Sequence, residues 1–163
     1  MHTGTRRRAI PLLTAVWLVL LATLGPSACS RGPETGPVEV KWDRDTCHRC
    51  GMVLSDRRHA AQVRGGPAGE RTRVYLFDDI GGAIVWLQEQ PWKNDPRTEL
   101  WVTDYRNGHW IDGFKATYLS GQRTPMDFGL GAQEGALEGG MSYQQARELV
   151  MANEARRRPG GGG

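Results

Sequence analysis

The chain has 163 residues, with 21 Lys and Arg against 18 Asp and Glu, a length that fits one domain or two very small ones sharing a core. Arg6, Arg7 and Arg8 account for the whole positive surplus and stand in an N-terminal stretch without acidic residues. The rest is close to neutral, which argues against nucleic-acid binding, where surplus Lys and Arg must displace counterions from phosphates.

Those arginines precede an apolar run, Ala9 to Leu24, too short and too near the start for a membrane span. Gly25-Pro26 breaks any helix, and Ser27-Ala28-Cys29 follows. Residues 1–28 therefore read as a bacterial export signal. Small residues before a cysteine resemble a lipobox, which makes Cys29 the candidate lipidated N-terminus; ordinary cleavage leaving a free thiol is the alternative. Thr5-Arg6-Arg7 partly resembles a twin-arginine signal, so the export route stays open. Residues 29–37, rich in Gly and Pro, read as a tether that holds the folded part off a membrane.

Val38 to Trp42 alternates apolar and polar residues, the pattern of a half-buried strand. Asp45-Thr46-Cys47-His48-Arg49-Cys50-Gly51-Met52 follows as a turn, and Met52 to Leu54 begins a second extended piece. Ala60 to Val63 continues the strand pattern, and Gly65 to Gly69 is a hairpin-type loop. Arg73 to Phe77 is the strongest strand signal in the chain. Asp78-Asp79 ends that strand and caps a helix from Ile80 to about Glu89, with Ile80, Ile84 and Leu87 on one face and Pro91 as its stop. Glu99 to Asp104 returns as a strand. A ββαβ unit thus spans residues 38–105.

A weaker second copy spans residues 106–158. His109 to Asp112 and Ala116 to Leu119 read as strands, and Thr124-Pro125-Met126 as a stiff turn. Gly129, Gly131 and Gly135 mark a loop-rich stretch. Ser142 and Gln145 form a capping box for a helix from Tyr143 to about Arg156. Residues 159–163 read as a disordered tail. The expected fold is α+β, with two ββαβ halves in one small globular unit.

The chemistry lies in the Cys47–Met52 cluster, whose soft sulfur donors suit Cu(I), Zn(II) or redox work and not Mg or Ca. Four readings compete. As half of a structural zinc site, Cys47 and Cys50 need a second close Cys/His pair, and His59 and His109 stand isolated in the sequence. As a thiol–disulfide motif, the pair needs a helix opening at Cys47 to lower its pKa, and Gly51 weakens such a helix. A structural disulfide closing so short a loop contributes little. As a copper site, Cys50-Gly51-Met52 lets both sulfurs face one ion, and Met126 beside a rigid Pro is a candidate third ligand. Met141 and Met151 are better explained by packing.

The exported leader, Cys29, Asp45-x-Cys47-x-x-Cys50-Gly51-Met52, Tyr75-Leu76-Phe77-Asp78-Asp79-Ile80-Gly81 and Thr124-Pro125-Met126, in that order, closely resemble the NosL family of nitrous oxide reductase accessory lipoproteins. That resemblance implies a fold of two ββαβ halves akin to part of the organomercurial lyase fold. It implies a periplasmic lipoprotein that takes Cu(I) from a membrane transporter and passes it to nitrous oxide reductase, without turnover chemistry. Carried over by motif, the implied ligands are Cys50, Met52 and Met126, with Cys47 as an auxiliary. The alternative is an enzyme, a thiol–disulfide oxidoreductase using Cys47 and Cys50. Asp78 and Asp79 read as helix caps.

Overall fold

The computed structural model describes residues 34–157. The expected signal peptide, Cys29, the first part of the tether and the C-terminal tail lie outside the described residues. The described part is α+β. Its elements are β1 (Ala61–Gly65), β2 (Arg73–Phe77), α1 (Ile80–Gln88), β3 (Glu99–Thr103), β4 (Trp110–Asp112), β5 (Thr117–Leu119), β6 (Gly131–Gln133) and α2 (Tyr143–Arg157). Among the described residues no helix is long and apolar enough to cross a membrane.

Strands β1 to β4 form one antiparallel sheet in the order β2-β1-β3-β4. The ββαβ order is realised over residues 61–103: a β1–β2 hairpin, then α1, then β3 on the far side of β1. In the second half β4 joins this sheet, β5 and β6 pair as a separate antiparallel ribbon, and α2 follows. A parallel bridge between Asp104 and Ala132 ties the ribbon to the end of β3. Helix α2 packs on α1 and on β5.

Period-two alternation assigns the two faces of the main sheet. Ala61, Val63, Phe77, Leu100 and Val102 share the face that meets α1, where Ile80, Ala83, Ile84 and Leu87 are buried. Burying each large side chain contributes about 1.5–3 kcal/mol. Gln62 and Arg64 point to the opposite face, yet both are buried.

That burial explains a difference from the sequence expectation. Val38 to Trp42 does not form a strand, although its burial alternates as a strand's would. The Gln62 side-chain amide accepts from the Val38 N–H at 2.8 Å and donates to the Val38 carbonyl at 2.9 Å. Arg64 donates to the Gly36 carbonyl, and the Gly36 N–H donates to Glu99. The segment thus crosses the sheet face, held by side chains that imitate a neighbouring strand. β6, by contrast, arises in the glycine-rich stretch read as loop: Gly131 faces Leu119, and its missing side chain leaves room for Gln122.

Candidate metal centre

The cysteine loop is built as a narrow hairpin. The Leu54 N–H donates to the Asp45 carbonyl, Thr46 bridges Val53, and the Cys47 N–H donates to the Met52 carbonyl at 2.7 Å. The Gly51 N–H returns to the Cys47 carbonyl at 2.9 Å. Closing that turn requires a left-handed residue, and Gly51 takes φ +76° with open space around it. The His48 N–H donates to the Leu76 carbonyl at 2.7 Å, which staples the loop to the end of β2. Asp78 lies just beyond that end, so the staple brings it to the thiols.

The ligating atoms of Cys47, Cys50 and Asp78 all lie within 4.8 Å of one another, a group able to hold a metal ion. Both cysteines are free thiols. The Cys50 Sγ lies 3.5 and 3.6 Å from the two carboxylate oxygens of Asp78, to which it donates. Cys47 and Asp78 are buried and Cys50 is half-buried. Burial first, then side-chain hydrogen bonds with Asp78 and Cys50, push the Cys47 thiol up to about 12 against opposing backbone bonds. Without a cation Cys47 keeps its proton at neutral pH. A bound metal ion reverses this balance, because thiolate is the ligand and binding expels the proton.

Cys47 opens a turn rather than a helix. The thiol therefore lacks the helix N-terminus that activates a disulfide-exchange cysteine.

The remaining expected site residues are two methionines outside this group. Met52, two residues after Cys50, is 43% exposed. Met126 is partly buried against the core, and its N–H donates to the Asp79 carboxylate at 3.0 Å. Asp79 also accepts from the Gly81 N–H at 2.8 Å as the N-cap of α1, and the Thr124 hydroxyl and Phe128 amide bond to it as well. Burial pushes the Asp79 carboxyl up, with those hydrogen bonds opposing. Gly81 permits this closeness: a Cβ there would stand 2.3 Å from Cβ and Cγ of Phe128. The Thr124–Phe128 turn is thereby fixed at the start of α1, one residue from Asp78.

Sequence reasoning missed Asp78 as a partner of the thiols. A signal existed, since two adjacent aspartates at a strand-to-helix junction cannot both be the N-cap. Asp79 takes that role alone. His48 stays outside the group because its ring packs on Tyr75 at 4.8 Å and edge-on to Trp86 at 5.2 Å. His59 is buried elsewhere, with Nδ1 2.8 Å from Asp56. No protein-family model and no curated protein matches the chain, so the two thiols and the adjoining carboxylate carry its functional reading.

Proposed function

We propose that the protein is a NosL-like metallochaperone, exported and anchored to the periplasmic face of a membrane by lipid on Cys29. It takes Cu(I) from a membrane transporter and delivers it for maturation of nitrous oxide reductase. The observation that carries this reading is the convergence of Cys47, Cys50 and Asp78 at one edge of the fold. Two thiols satisfy the preference of Cu(I) for few, soft ligands. Met52, exposed two residues after Cys50, and Met126, on the turn that Asp79 holds, are the thioethers that complete the set. Asp78 Oδ accepts the hydrogen bond from the Cys50 thiol, in place to take its proton as the sulfur binds. Cys50 and Met52, which are not fully buried, leave an acceptor's ligands a way in, so copper moves by ligand exchange and the protein performs no turnover chemistry.

The second reading, a thiol–disulfide oxidoreductase, draws on two free thiols at two-residue spacing. The elevated Cys47 pKa opposes it, because the thiolate is the nucleophile.

Anaerobic Cu(I) titration against a competing chelator separates the two. The copper reading expects one equivalent bound to reduced protein, with strong weakening in Met52→Ala and Cys50→Ala. The oxidoreductase expects Met52→Ala to matter little and Cys47→Ala to abolish disulfide exchange. Wild-type protein that holds Cu(I) no tighter than the Met52→Ala, Cys50→Ala double variant would sink the copper reading. Zn(II) retained in preference to Cu(I) under the same competition would replace it with zinc binding. Intact mass of the membrane fraction checks the anchor: diacylglycerol on Cys29 is expected, and an unmodified soluble form starting elsewhere refutes it.

A further inference from the structure

The last turn of α2 touches both halves of the candidate site. Arg49, between the two cysteines, donates from Nη2 to Glu154 Oε1 at 2.6 Å, and both side chains are mostly buried. One turn further along, Arg157 donates to the Met126 carbonyl at 3.0 Å and to the Asp127 carbonyl. The two guanidinium groups also share one aromatic ring, lying 5.5 Å (Arg49) and 4.7 Å (Arg157) from the centroid of Phe128. The Met126 peptide is thus gripped at its N–H by Asp79 and at its C=O by Arg157.

We propose that Glu154 and Arg157 are positioning residues that clasp the Met126 turn to the cysteine loop, so that the end of α2 sets whether the Met126 thioether joins the thiols on Cu(I). This rests on the copper reading above. The physical case is that α2 buries only Ala146, Val150 and Glu154, so its last turn is held by charge rather than by a broad apolar face. Asp127 adds to the demand: its φ is +57°, a left-handed conformation that a non-glycine residue holds only when its surroundings impose it. Arg157 on the adjoining carbonyls supplies that constraint. Partners that orient metal ligands from behind typically change metal affinity by about 10- to 100-fold when removed.

The test uses the full chain. Cu(I) affinity is measured by chelator competition and sulfur coordination by X-ray absorption, for wild type, Glu154→Gln, Arg157→Ala, Arg157→Lys and Met126→Ala. Arg157→Ala should weaken Cu(I) binding about tenfold and remove one sulfur from the copper shell, as Met126→Ala does. Arg157→Lys should recover part of both losses, and Glu154→Gln should act in the same direction as Arg157→Ala. The double variant Arg157→Ala, Met126→Ala should be no weaker than Met126→Ala alone, because the two act through one ligand. Equal weakening by Arg157→Ala with and without Met126, or an unchanged sulfur count in Arg157→Ala, overturns the clasp. If wild-type protein binds no Cu(I), the copper reading fails separately. Hydrogen exchange then judges the clasp alone: Arg157→Ala should speed exchange of the Met126 amide, and unchanged protection there overturns it.

Discussion

Helix α1 buries seven of its nine residues, whereas α2, with fifteen, buries three, one of them the charged Glu154. Both helices end at the candidate site. The N-terminus of α1 carries Asp79 beside Asp78, set by apolar packing of Ile80, Ala83, Ile84 and Leu87 against the sheet. The C-terminus of α2 reaches the same place through Glu154 and Arg157, which hold it by ion pair and hydrogen bond. The comparison teaches that the thiol–carboxylate side of the site is rigid because the core makes it so. The methionine side is held by an ion pair and hydrogen bonds, of which the Arg157 contacts are the ones open to water and salt.

The strongest way to break this contrast is to cut the core under α1. Ile84→Ala should cost about 3 kcal/mol of unfolding free energy, read from urea denaturation, because the side chain is fully buried. Val150→Ala on α2 should cost less, since Val150, though itself fully buried, has fewer buried neighbours on its helix and loses a smaller side chain. Equal losses would erase the distinction between the helices.

Gly81→Ala tests the junction between the two sides. Alanine favours the helix by about 1 kcal/mol, but the Cβ would invade Phe128. Overpacking of about 1–3 kcal/mol outweighs that gain. A net destabilisation of up to about 2 kcal/mol, with faster exchange of the Met126 and Phe128 amides, is expected. A more stable Gly81→Ala protein would show that the close approach is dispensable.

At the far end of α2, the capping box is in place: the Ser142 N–H donates to Gln145 at 2.8 Å, and Ser142 Oγ accepts from the Gln145 N–H at 3.4 Å. Ser142→Ala should cost about 1 kcal/mol. The same variant should leave Cys50 alkylation unchanged, because the cap lies at the opposite end of the helix from the clasp.

The smallest expected effect concerns acid. The Arg106 guanidinium holds the Asp104 carboxyl well below the usual carboxylate range, against the opposing pull of burial, with the Arg106 and Glu134 amides adding to the depression. A depressed folded-state pKa stabilises the protein above the unfolded value of about 3.9, and that stability is lost as pH falls further. Wild type should therefore exceed Arg106→Gln in thermal stability at neutral pH by a margin that narrows below about pH 4. A margin independent of pH would mean that the pair is not the source.

Local pattern alone was enough for β2, α1 and α2. β-Branched and aromatic residues in Arg73–Phe77, the Asp cap before Ile80 and the Ser142–Gln145 box are short-range signals, and the elements form where those signals stand. Val38–Trp42 shows the limit of such reading. Its alternation is real, but the Gln62 side chain, not a strand, bonds the Val38 backbone, and Arg64 does the same for Gly36 just before it. Period-two alternation reports burial on one side, not a ladder partner.

The candidate site divides in the same way. The sequence by itself determined the two thiols, since Cys47 and Cys50 are separated by one tight turn and Gly51 supplies the φ that turn needs. Only the tertiary structure decided that Asp78 joins them and that Asp79 holds the Met126 turn beside them. A hydrogen bond from His48 to Leu76 joins the loop to β2, and a helix cap reaches across 47 residues to Met126. Such contacts depend on where the chain returns in space, which spacing along the chain does not encode.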